Sequence, residues 1–163
     1  MATSVHVGSL HITENLTANS MSVASNSVTD TSVIAGANIA ASKLEHQLHL
    51  TYNQTGTAAS ATIPIHCGYG DGEVISIKAY SVVAALTTAT VTVDLKKNGT
   101  TVLTGVITLD NGNTAYIPEA GSLGTATYGN DDVLTLVIVA AASGGTLPTG
   151  LGVTVILRED AAP

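Results

Sequence analysis

ATVTVDLKKNGTTVLTGVITLDNGN runs from Ala89 to Asn113. In its first half Val91, Val93 and Leu95 alternate with Thr90, Thr92, Asp94 and Lys96. That period of two places the apolar set on one face, as in a half-buried β-strand. Asn98-Gly99 follows, and both residues tolerate the positive φ that a type I′ hairpin turn requires. The pattern predicts a return strand over Thr101–Leu109, closed by a second turn at Asp110–Asn113 (DNGN). A tight hairpin fixes antiparallel pairing, so this stretch decides for an all-β fold.

The same reading extends in both directions. Leu48, Leu50 and Tyr52 alternate with His49, Thr51 and Asn53. Ala61–His66 reads as a strand, followed by the Gly-rich turn GYGDGE (Gly68–Glu73) and a long apolar strand over Val74–Ala85. Tyr116–Pro118 reads as a short edge piece, because Pro118 has no N–H for a ladder. Asp132–Ala142 and Gly152–Arg158 complete the set, joined by SGGTLPTG, a linker long enough to cross between sheets. About eight strands from residue 47 onward predict an antiparallel β-sandwich, jelly-roll-like. The absence of Trp and of a Cys pair argues against an antibody-type sandwich.

Composition agrees. The chain of 163 residues holds 24 Thr, 17 Val and 11 Ile, the β-branched types that pack well on a pleated surface. Phe and Trp are absent, which leaves an aliphatic core and little material for stacking sugars or bases. Charged residues make up 10% of the chain, where soluble domains carry roughly 25%. Much of the surface is therefore either uncharged polar or covered by copies and partners. A net charge of −7 with only five Lys and Arg excludes wrapping nucleic acid. The start, MATSVHVGSL, has neither the basic nor the apolar region of an export signal. The longest apolar run, Val133–Ala142, is too short to span a bilayer, so no membrane partner is expected. The single Cys67 makes no internal disulfide and fits folding in a reducing cytoplasm.

No catalytic constellation, metal site or cofactor motif emerges. His66 and Cys67 are adjacent, so on a strand they face opposite ways and cannot act as base and nucleophile. Cys67 is expected as a buried or half-buried thiol. His46 and His49 lack a third zinc ligand. The acidic turns at Asp71–Glu73, Asp110–Asn113 and Asn130–Asp132 match no calcium loop and contain what turns require anyway.

Residues 1–46 differ from the rest. Before Lys43 the only charges are Glu14 and Asp30, and single apolar residues recur with neither helical nor strand period. The Ala-rich stretch VIAGANIAASKLEHQ (Val33–Gln47) suggests one or two turns of helix. A weakly charged segment with spaced apolar residues fits an extended N-terminal arm and linker (residues 1–46) that lies along another surface. Its anchors are Leu10, Ile12, Leu16, Val28, Ile34, Ile39 and Leu44. The β-sandwich domain then occupies residues 47–163.

The stretch TSVIAGANIAASKLEHQ resembles a segment of tailed-bacteriophage virion proteins, an (I/V)-x-x-G-A-x-I-x-x-S-K-L-x-H run that precedes a small β-sandwich. Here the matching residues are Gly36-Ala37, Ile39, Ser42-Lys43-Leu44 and His46, with Ile34 one position out of register. The family is that of capsid decoration, or cement, proteins. The resemblance implies a homotrimer on the outer capsid surface of a virion, a jelly-roll body, an arm on the major capsid protein or a neighbouring copy, and no catalysis. The alternative is a receptor- or carbohydrate-binding domain of a phage fibre or tail protein, against which the missing Trp and Phe count.

Overall fold

The computed structural model describes residues 45–160, and all ten of its strands pair antiparallel in two sheets. The strands are β1 (Glu45–Thr57), β2 (Ala61–Cys67), β3 (Gly72–Tyr80), β4 (Thr90–Lys97), β5 (Thr100–Thr101), β6 (Ile107–Leu109), β7 (Glu119–Ala120), β8 (Thr127–Tyr128), β9 (Val133–Ala141) and β10 (Thr149–Asp160). One sheet has the order β1-β10-β3-β7, with β8 also on β3. The other has the order β2-β9-β4-β5, with β6 also on β4. Counting β5/β6 and β7/β8 each as one interrupted strand gives two four-stranded sheets, the jelly-roll arrangement. The expected count of about eight is thus the number of strand paths, two of which are broken.

The core follows from the alternation. Val91, Val93 and Leu95 are fully buried, and face Leu151, Val153, Val155 and Leu157 of the other sheet within one apolar cluster. Each such side chain contributes about 1.5–3 kcal/mol of burial. Asn98 and Gly99 adopt φ of 48° and 87°, the left-handed pair that the hairpin turn requires. The linker from Ser143 to Gly150 does carry the chain from one sheet (β9) to the other (β10).

Four expectations need correction. Glu45–Gln47 are not helical but pair with Arg158–Asp160 as the start of β1; the rest of the Ala-rich stretch lies outside the described residues. The strand expected to reach Ala85 ends at Tyr80. Beyond it Val83 and Leu86 make only single bridges to Thr149 and Thr146, and Thr87 turns the chain with φ 58°. The return strand after Asn98-Gly99 breaks: the Val102 N–H still bonds the Leu95 carbonyl of β4 at 2.8 Å, then Leu103 bridges Leu123, and pairing with β4 resumes only at Ile107. Tyr116–Pro118 is not a strand: Tyr116, at φ 64°, turns the chain, and Glu119–Ala120 pair with β3 instead.

Candidate functional site

At the end of the sandwich where β1 begins, one carboxylate joins the two sheets. Inward positions on β10 run Leu151, Val153, Val155, Leu157, and the same parity places Glu159 inside. Its Oε2 lies 2.7 Å from Nε2 of His66 on β2 and 3.3 Å from the hydroxyl of Tyr128 on β8. Its Oε1 accepts the backbone N–H groups of Tyr69 at 2.9 Å and Gly70 at 3.1 Å. The His66 and Tyr128 rings meet edge to face, with centroids 5.5 Å apart. Both carboxylate oxygens are saturated, which is what a charge needs when it is nine-tenths out of water.

The electrostatics follow from that shell. Burial pushes the Glu159 carboxyl up, but the Tyr69 amide, the His66 contact and the Gly70 amide together outweigh it and hold it below its ordinary value. Tyr128 moves the other way. Burial, then the neighbouring Glu159 charge and their hydrogen bond, raise its hydroxyl above its usual range, so it remains a donor.

His66 reaches this cluster through a β-bulge. Pairing of β2 with β9 shifts register between Pro64 and His66, so Ile65 and His66 both turn inward. Cys67 is consequently exposed, not the buried or half-buried thiol expected. His and Cys do face opposite ways, as strand geometry requires. Beside the cluster lies an open cleft of about 480 Å³, lined by Asp71, Glu73, Lys97 and Arg158 among others. Arg158 meets Glu73 at 2.7 Å, and Lys97 donates to the Thr127 carbonyl at 3.0 Å.

The acidic turns serve the backbone. Asp132 accepts the Gly129 N–H at 2.8 Å and the Asn98 amide at 2.6 Å, and with Lys97 nearby its carboxyl sits below the ordinary range. Asp110 accepts the Gly112 N–H at 2.8 Å, and Asn113 bridges Asp110 to Glu119. His46 and His49 stand on β1 three residues apart and so on opposite faces. Among the described residues no three His, Cys, Asp or Glu side chains converge as metal ligands. The arm anchors Leu10, Ile12, Leu16, Val28, Ile34, Ile39 and Leu44 all lie outside the described residues. Sequence reasoning passed over Glu159 and Tyr128, although the inward parity of Glu159 was readable from the alternation in β10.

The long side of the sandwich between β1 and β2 has another character. Each is the outermost strand of its sheet, and among the described residues nothing pairs with their outer edges. Between them opens an apolar cleft of about 300 Å³, walled by Leu50 and Tyr52 of β1 and Ile63 and Ile65 of β2. Leu136, Val153 and Val155 form its floor.

No protein-family description matches this chain, and no curated protein does. Three solved structures are partly similar to it. The cyanophage Pam1 capsid asymmetric unit has a chain 14% identical, covering 71% of this chain and 84% of its own, at a TM-score of 0.48. The acidic stable capsid of Helicobacter pylori bacteriophage KHP30 gives 15% identity over 71% and 92%, at a TM-score of 0.39. Infectious bursal disease virus, Gt strain, gives 14% identity over 72% and 37%, at a TM-score of 0.33. None of these likenesses assigns a role to this chain.

Proposed function

We propose that this chain is a structural protein of a bacteriophage virion. It binds the outer capsid surface as a homotrimer and stabilises the shell by clamping neighbouring capsomers, without catalysis. The segment that precedes β1 acts as the arm, seating Leu10, Ile12, Leu16, Val28, Ile34, Ile39 and Leu44 in grooves of the major capsid protein or of a neighbouring copy. The observation that carries this reading is the GANIAASKLEH segment, which runs in sequence straight into the first strand of a weakly charged jelly roll. Each of those aliphatics contributes about 1.5–3 kcal/mol once buried, which offsets part of the ordering cost of a segment rich in Ser, Thr and Asn.

Two features support a structural over a sugar-binding role. The Glu159 cluster uses every oxygen on internal bonds and leaves none for a substrate. The most exposed aromatics, Tyr69 and Tyr116, sit at opposite ends of the sandwich, beside Glu159 and Ser81 respectively, and form no stacking platform. Co-sedimentation with empty capsids tests the proposal. The full chain should pellet with shells and resist washing, while a chain lacking residues 1–36 should stay folded and wash off. Equal retention of both forms would refute the arm.

A further inference from the structure

The two long sides of the sandwich treat their edges in opposite ways. On one side the outermost strands are β5, β6, β7 and β8, each two or three residues long, with Lys78, Lys96, Lys97 and Glu119 on or beside them. Short, broken and charged edges are how β-proteins prevent strand pairing with other chains. On the other side β1 runs 13 residues and β2 seven. From His46 to Gly70 there is no Asp, Glu, Lys or Arg, and the guards are Pro64 with the bulge beside it in β2 and the register shift after Gln54 in β1, which leave Glu45–Gln54 and Ala61–Ile63 regular. An edge that long and that neutral is a template for another strand, and it flanks an apolar cleft.

We infer that the β1/β2 side is the surface on which copies of this chain assemble, β1 of one copy meeting the Ala61–Ile63 stretch of β2 in the next. This inference rests on the homotrimer proposed above and names the face that builds it. Three observations select a second copy as the occupant. Each copy carries both halves of the contact, so a head-to-tail ring of three closes and leaves neither edge free. Within a copy β1 leads away from the Glu159 end and β2 returns to it, since His46 pairs with Glu159 and His66 reaches the same carboxylate. Copies rotated about an axis along the strands would therefore bring β1 against β2 antiparallel, the pairing used throughout the fold. Finally, each chain carries a net −7, and the uncharged side is where copies approach with least repulsion. Ile63, Ile65, Leu50 and Tyr52, half-buried in one copy, then close over the cleft between copies.

The test uses the full chain with lysines placed on exposed edge positions, Thr51→Lys on β1 and Thr62→Lys on β2. Sedimentation equilibrium should give the wild type three times 16.3 kDa. Each variant should associate at least tenfold more weakly and the double variant should be monomeric, with unchanged far-UV circular dichroism. Val83→Lys, at the end of the sandwich, should leave the trimer intact. Hydrogen exchange read on residues 45–57 of the wild type adds a measurement free of substitutions: it should slow as concentration drives assembly. A trimer indifferent to both lysines, a monomeric wild type, or exchange independent of concentration overturns the inference. Capsid co-sedimentation is scored separately, so the binding proposal can stand or fall without it.

Discussion

The closed and open sides of this sandwich are held by different physics. On the closed side, Gly121 lies between the sheets, where a Cβ would come within 2.8 Å of Ile77 and 3.3 Å of Ile107. Its N–H bonds the Ile77 carbonyl at 2.9 Å, and Leu103 bridges Leu123 nearby. Around Gly121 the sheets meet through closely packed aliphatics. On the open side they diverge around a cleft, and at one end the Glu159–His66 contact clasps them. Packing closes one side and a single carboxylate pins the other, so the two should fail under different stresses.

The largest effect should come from the closed side. Ile107→Ala should cost about 2–5 kcal/mol, since Ile107 is buried in the core and truncation there leaves a cavity. Ile63→Ala on the open side should cost about 1 kcal/mol in the isolated subunit, because Ile63 already borders the cleft. Denaturant midpoints of the two variants, measured under monomeric conditions, compare the sides directly. Equal costs would mean that the open side is packed as tightly as the closed one.

Next in size is the clasp. Glu159→Ala should cost about 3 kcal/mol, because it strands two backbone N–H groups, the His66 ring and the Tyr128 hydroxyl at a buried position. The pH dependence follows from the depressed Glu159 carboxyl. A folded-state value below the ordinary 4.5 means the contribution is complete above that pH and disappears as pH falls through the lower folded value. Wild-type stability should therefore drop below about pH 4.5. Glu159→Gln should remove the part of that drop that belongs to this group. An unchanged acid profile in Glu159→Gln would show that the clasp is not the acid-sensitive element.

Smaller effects sharpen the contrast at the turns. Asn98→Ala should cost about 1 kcal/mol, since Asn98 both holds a left-handed φ and bridges Asp132 to the Val133 N–H. Cys67→Ser should leave stability unchanged, and the wild-type thiol should react with a disulfide reagent at the rate of a free cysteine without denaturant. A protected Cys67 would mean that the end of β2 is covered.

What was readable beforehand divides along the same line. The strands β1, β4 and β10 announce themselves by alternation against a core that buries one face, and β9 as the longest apolar run of the chain. Asn98-Gly99 adds the hairpin because few residue pairs accept two positive φ angles. The closed side was misread because Thr101–Leu109 has strand composition throughout, yet its path is set by a contact 20 residues away at Leu123. The clasp was missed for a related reason. His66 turns inward only through a bulge, whose one local mark is Pro64, and a mid-strand Pro fits an edge as well as a bulge. Glu159 was the exception, a carboxylate sitting at an inward position of an otherwise apolar alternation.

Imaging empty capsids incubated with the purified full chain tests the central claim most directly. Knobs of three-fold symmetry should appear at regular positions on the outer surface and disappear when residues 1–36 are removed. Bare shells at saturating protein, or density only at the tips of tail fibres, would contradict it.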